Sequence, residues 1–184
     1  MDSLIFSNYL EIEGVTLNTI SAGVTVEAVS SEVILGNCSF LDNPSQKYLI
    51  QVTSSLGTLS LSSVFAKNNN CTLLGVVSSK ILMKDSKIMS SNCSDSSMGC
   101  IVHLEESTAT IKGVIIIGVH VKNYGSLFYF QNSQSTTIQK IEINGINGIS
   151  NKGCLASFTS NVNVSDSKFY AVGFGCIYAY VSQN

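Results

Sequence analysis

GCIYAY, Gly175 to Tyr180, writes a line that the chain has used before. GCLASF (Gly153 to Phe158) and GCIVHL (Gly99 to Leu104) precede it, with GSLFYF (Gly125 to Phe130) and KYLIQV (Lys47 to Val52) as looser copies. One slot of this line places Tyr48, Cys71, Cys100, Ser126, Cys154 and Cys176 at equivalent positions, 23, 29, 26, 28 and 22 residues apart. Self-similarity at a period of about 20 to 50 residues is the signature of a repeat architecture. A second line recurs in phase with the first: NCSF (Asn37 to Phe40), DSKI (Asp85 to Ile88) and DSKF (Asp166 to Phe169).

Within the first line the apolar residues alternate in steps of two. Cys100, Val102 and Leu104 correspond to Ser126, Phe128 and Phe130, to Cys154, Ala156 and Phe158, and to Cys176, Tyr178 and Tyr180; Tyr48, Ile50 and Val52 share the parity. Residues between them, such as Gln51, His103, Tyr129, Ser157 and Ala179, are mixed, so each copy reads as a strand with one buried face. Ile101, Leu127, Leu155 and Ile177 are aliphatic against that parity and read as a corner position packed on a neighbouring strand.

Further short strands are expected at Leu10 to Leu17, Val24 to Val29, Val33 to Leu35, Leu59 to Leu61, Leu73 to Val77, Ile81 to Met83, Ile111 to Val121, Ile138 to Ile143 and Val162 to Val164. Clusters such as DNPS (Asp42 to Ser45) and KNNN (Lys67 to Asn70) punctuate them as turns. No capped 3.6-residue period stands out, so little or no helix is expected. Three short strands per unit suit a coil that stacks on itself about 4.8 Å per turn, with like residues above like. The expectation is an all-β, right-handed parallel β-helix of about seven coils, a single domain over residues 1–184 that is a section of a longer solenoid. Tyr48, Cys71, Cys100, Ser126, Cys154 and Cys176 would form one internal column of small or soft side chains.

Composition narrows the function. The chain has 184 residues, net charge −2, 12% charged residues and 45% hydrophobic ones, and every basic side chain is Lys. That excludes a disordered tail, and it leaves no basic stripe to track a nucleic acid. The longest apolar run, GVIIIGVHV (Gly113 to Val121), is about half of what a spanning helix needs and reads as a buried strand. The first residues lack a basic n-region, which leaves a cytosolic protein or a mature fragment.

The units SDSKFYAVGFGCIYAYVSQN (Ser165 to Asn184) and NCSFLDNPSQKYLIQV (Asn37 to Val52) resemble the degenerate repeats of right-handed parallel β-helix proteins, the pectin-lyase-like superfamily. They are most similar to the polymorphic outer-membrane-protein type of secreted or surface protist chains, with the usual Gly–Gly replaced by Gly–Cys or Gly–Ser. The resemblance implies a β-helix and an extracellular or surface setting.

That superfamily also contains lyases and hydrolases. Pectate-lyase chemistry implies clustered acids around a divalent cation and a basic residue, typically Arg, and this chain has no Arg. Hydrolysis needs paired carboxylates about 5 to 10 Å apart. Glu105 and Glu106 are the only adjacent acids and read as solvated turn charges; His103 reads as a surface residue and His120 as a partly covered one. No zinc spacing, phosphate loop, nucleophile elbow or calcium loop is present, so neither a metal nor a cofactor is expected.

Six Cys raise the question of disulfides. Cys154 with Cys176, or Cys71 with Cys100, would approach bridging distance, yet parallel stacking aims the sulfurs poorly, so the column thiols are expected to be reduced. Cys38 and Cys93 lie outside the column, as a pair or free. Asn37, Asn70, Asn92 and Asn163 open N-x-[ST] sequons. Asn70 and Asn92 fall in turn clusters from which a glycan would project; Asn37 and Asn163 flank strands.

The reading that results is a non-enzymatic extracellular or cell-surface structural protein, a rigid β-solenoid scaffold or filament component. Its strand edges, without an evident cap, would meet further coils or other chains. The alternative is a carbohydrate-binding or carbohydrate-active, pectate-lyase-like β-helix using an outward groove with aromatics such as Tyr129. Ice binding would need a T-x-T ladder, and Thr108 with Thr110 finds no matching pair one coil away.

Overall fold

The computed structural model describes residues 4–6, 9–19, 24–29, 32–44, 46–53, 58–93, 99–121, 126–148, 154–173 and 177–180. The described residues form an all-β parallel solenoid with no helix among them. Three parallel sheets run along its axis. The first stacks Leu4–Phe6, Val24–Val29, Gln46–Thr53, Cys71–Val77, Val102–Glu105, Phe128–Gln131, Leu155–Phe158 and Ile177–Tyr180. The second stacks Tyr9–Glu13, Glu32–Gly36, Thr58–Ser62, Lys80–Lys84, Thr108–Lys112, Thr136–Gln139 and Val162–Ser165. The third is built on Thr16–Asn18, Ser39–Leu41, Phe65–Lys67, Lys87–Met89, Ile115–Ile117, Glu142–Gly148 and Lys168–Val172.

About five turns close around a sealed interior, rather than seven. In the second sheet the inward side chains are buried on the strands from Glu32–Gly36 to Thr136–Gln139. Those of Tyr9–Glu13 and Val162–Ser165 are only partly buried.

The interior is a set of vertical columns. Leu35, Leu61, Met83, Ile111 and Ile138 lie one above another in the second sheet, as do Phe40, Ala66, Ile88, Ile116 and Ile143 in the third. All ten are at most 1% exposed. Each fully buried aliphatic side chain is worth about 1.5 to 3 kcal/mol, so like-over-like stacking is the main source of cohesion.

Three families of corner residues turn the chain. Asn37, Ser63, Asp85, Gly113, Lys140 and Asp166 follow the second sheet with φ between 48 and 66°. Asp42, Asn68, Ser90 and Gly118 follow the third, where Gly145 stands within the Glu142–Gly148 strand, and Ser78, Glu106, Asn132 and Thr159 follow the first, again left-handed. Most corners are clamped to the next turn through their own N–H: Asn37 donates to the Ser62 carbonyl, Ser63 to Lys84, Asp85 to Lys112 and Gly113 to Gln139.

This explains the NCSF, DSKI and DSKF line. Its first residue is the left-handed corner, where Asn and Asp are tolerated. Its second folds back on the carbonyl two residues earlier: Cys38 Sγ to Gly36 (3.2 Å), Ser86 Oγ to Lys84 (2.9 Å), Ser167 Oγ to Ser165 (2.8 Å). The same hydroxyls accept from the turn below, Ser86 from Val64 N–H and Ser167 from Ile141 N–H.

The corners also break strands that hydrophobicity joins. Gly113 and Gly118 divide the apolar run, so Gly113 to Val121 is not one buried strand, and Ile115 is 38% exposed. Gly14 divides Leu10 to Leu17, and Lys140 divides Ile138 to Ile143.

Candidate functional site

The outward row of the first sheet sets Gln51, Gly75, His103, Tyr129 and Ala156 side by side. Gly75 is the gap in that row. A Cβ there would meet the Tyr48 ring at 2.6 Å, so the ring lies flat over the glycine on the outer surface. From there the Tyr48 hydroxyl reaches 2.9 Å from His103 Nδ1, donating to it when that nitrogen carries no proton. His103 meets Tyr129 edge to face, ring centroids 5.2 Å apart, and the Tyr129 hydroxyl donates to Gln131 Oε1 at 3.1 Å. Glu105, two residues beyond His103 on the same face, completes the group.

Burial, and then the nearby Glu105 carboxylate, raise the hydroxyl pKa of both Tyr48 and Tyr129 above the usual 10.0. Both phenols therefore stay protonated at neutral pH and act as hydrogen-bond donors. Tyr48 is 9% exposed and Tyr129 5%, so neither offers a free face for a sugar ring to stack on. Glu106 takes no part: it is an exposed left-handed corner whose carboxylate accepts from Ser78 Oγ at 3.3 Å. His120 stands on a different side of the solenoid, on the short strand His120–Val121, paired with Asn92 and Asn147. Among the described residues no three His, Cys, Asp or Glu side chains converge as a metal site. No helix among them is long and apolar enough to cross a membrane.

The structure redistributes the expected internal column. Tyr48 points outward, over Gly75. An irregular register sets Cys71 against Gln46 and Thr72 against Tyr48, so that Thr72, with its hydroxyl on the Gly99 carbonyl, takes the slot expected for Cys71. Cys100 is not a reduced thiol but is bonded to Cys93, with Cα atoms 5.5 Å apart. Ser126 is buried beside it, its carbonyl accepting from Cys100 N–H. Leu155, rather than the expected Ala156, pairs with Phe128, which moves Cys154 one residue off the Ser126 level. Cys38, Cys71 and Cys154 are buried. Cys176 lies outside the described residues, although the strands that follow Cys154 and Cys176 do pair, Leu155 with Ile177.

The sequons also differ from expectation. Asn37 and Asn163 are exposed, while Asn70 and Asn92 are half-buried. Asn37 Nδ2 donates to Glu13 Oε1 at 3.0 Å, and the Asn92 side-chain oxygen is buried. Sequence reasoning missed the Tyr48–His103 contact; the lone glycine in an otherwise side-chain-bearing row was its available sign. Neither a protein-family model nor a curated protein matches this chain.

Proposed function

We propose that the chain is a non-enzymatic structural protein, a rigid solenoid scaffold that works outside the cell or on its surface. Its repeats suit the right-handed, pectin-lyase-like type, with the polymorphic protist surface repeats as the nearest pattern. The observation that carries the reading is where the polar side chains go. Ser79, Ser107, Ser133 and Ser160 form a ladder in which each backbone N–H donates to the serine hydroxyl one turn on, at 3.1, 3.2 and 2.9 Å. Asn43 and Asn69 are buried and bonded to each other at 2.8 Å, and Asn69 Nδ2 donates to the Phe40 carbonyl. Such groups hold turn to turn, which is what an axial load-bearing rod requires.

The Cys93–Cys100 bond supports an oxidising compartment, where disulfides persist. Exposed Asn37 and Asn163 are the sequons a glycan would occupy, since attachment leaves Asn37 Nδ2 one N–H for Glu13. The proposal is tested on native material. Electron microscopy is expected to show straight rods, and peptide mapping a linked Cys93–Cys100 pair with glycans on Asn37 and Asn163. Release of unsaturated products from an acidic polysaccharide would overturn it.

A further inference from the structure

The outer face of the second sheet carries six charges, and they are sorted by turn. Glu11, Glu13 and Glu32 project from the strands Tyr9–Glu13 and Glu32–Gly36; Lys80, Lys84 and Lys112 project from Lys80–Lys84 and Thr108–Lys112. All six are exposed. The strand between the two groups, Thr58–Ser62, presents only Thr58, Ser60 and Ser62 outward. From the geometry of this face we propose that two copies of the chain pair through it, axes antiparallel, about a two-fold that runs along Thr58–Ser62.

The register fixes which side chains would meet. Three outward columns cross these five strands: Tyr9, Glu32, Thr58, Lys80, Thr108; Glu11, Ile34, Ser60, Leu82, Thr110; and Glu13, Gly36, Ser62, Lys84, Lys112. A two-fold along the middle strand lays the first strand on the partner's fifth and the second on its fourth, and keeps each column on itself. Glu32 then faces the partner's Lys80, and Glu13 the partner's Lys112. Ile34 faces the partner's Leu82, which is 37% exposed in the single chain. Gly36 faces the partner's Lys84, and the space above Gly36 holds the Glu13 side chain, whose Cδ lies 3.6 Å from where a Cβ would stand.

A two-fold turned by a right angle in the plane of this face does worse. An axis along the solenoid would set acids on acids and lysines on lysines. Lys84 and Lys112 are direct neighbours in the ladder, a like-charge contact that a carboxylate from the partner relieves. Lys and Glu side chains are long enough to span the roughly 10 Å between packed sheets. Five strands of five residues cover about 400 Å² per partner, on strand spacing and rise alone. That is half the usual size, so the complex is weak, transient and held by charge. This lateral contact does not depend on the scaffold reading.

The test uses unglycosylated full chain, because a glycan on Asn37 would stand at the edge of this face. Sedimentation equilibrium at low salt is expected to show a monomer–dimer equilibrium that weakens by about tenfold or more as salt rises from roughly 0.02 to 0.3 M. Glu13→Lys with Glu32→Lys abolishes self-association, and so does Lys80→Glu with Lys112→Glu, since each turns every facing pair into like charges. Mixing the two variants restores a 1:1 dimer, because all four facing pairs become opposite again. Circular dichroism verifies that both variants keep the strand signal, and the mixture itself shows that both are folded. A wild-type chain still monomeric at about 1 mM in low salt overturns the proposal. So does association that survives the charge reversals, or a mixture that stays monomeric when the wild type pairs.

Discussion

Gly75→Ala tests the Tyr48–His103 group through the sign of its effect. In an open strand position the change from Gly to Ala gains about 0.5 to 1 kcal/mol, because the unfolded chain loses freedom and the strand does not. At Gly75 the added Cβ would lie 2.6 Å from Cδ1 and Cε1 of Tyr48 and 2.7 Å from Cγ, so the ring must lift off the sheet. Lifting it breaks the 2.9 Å contact with His103 Nδ1, worth about 1 kcal/mol, and uncovers part of a side chain that is 9% exposed. With the rotamer shift included, the expected result is a loss of about 2 kcal/mol. Urea denaturation of the wild type, Gly75→Ala, Tyr48→Ala and the double variant measures it. Once the Tyr48 ring is gone, Gly75→Ala is expected to be neutral or stabilising, which gives a coupling of about 2 kcal/mol across the cycle. A stabilising Gly75→Ala on the wild-type background, or a cycle with no coupling, would refute the placement of the ring.

Ser86→Ala removes the acceptor of the buried Val64 N–H and is expected to cost about 1 to 3 kcal/mol in the same assay. At the corners after the second sheet, Lys140→Gly releases a left-handed strain of about 1 kcal/mol and raises the melting temperature. Gly113→Ala lowers it, since φ is 66° and the new Cβ would stand 2.6 Å from Asp85 Oδ1. Tyr48 and Tyr129 titrate higher in the folded chain than in the unfolded one. The stability they contribute is complete below the unfolded pKa of 10.0 and is lost as pH climbs through their raised folded values; absorbance at 295 nm, with each Tyr→Phe variant as reference, reads both.

The stacking was legible because it rests on spacing. Val102 against Phe128, and Leu155 against Ile177, are the pairings that the GCIVHL, GSLFYF, GCLASF and GCIYAY copies set out. Phe40, Ile88 and Phe169 likewise share the column that NCSF, DSKI and DSKF imply. Parity, in contrast, survives only while no residue is gained or lost. The irregular pairing at Cys71 and Thr72 shifts the count by one, and it is Cys71 that this moves out of the slot level with Tyr48.

The strand breaks were hidden for another reason. Ser63, Ser78, Ser90, Lys140 and Thr159 are left-handed without being glycine, and nothing in their side chains announces it. Stacked neighbours impose the conformation through the N–H clamp to the next turn. The Cys93–Cys100 bond joins residues 7 apart across a corner, a relation that neither the repeat period nor the strand parity encodes.

The left-handed corners also act as a gauge. Across the third sheet they stand five positions apart in six successive turns, at Gly14 and Thr19, Asn37 and Asp42, Ser63 and Asn68, Asp85 and Ser90, Gly113 and Gly118, and Lys140 and Gly145. Between that sheet and the corner after the first sheet the count is free: 10 from Asn68 to Ser78, 16 from Ser90 to Glu106, 14 from Gly118 to Asn132 and 14 from Gly145 to Thr159. One flank of the molecule is thus ruled to a fixed measure, and the widest tolerance to insertion is gathered along one seam. Peptides of any length spliced into that seam hang from a straight edge at successive levels about 4.8 Å apart, like labels on a rail.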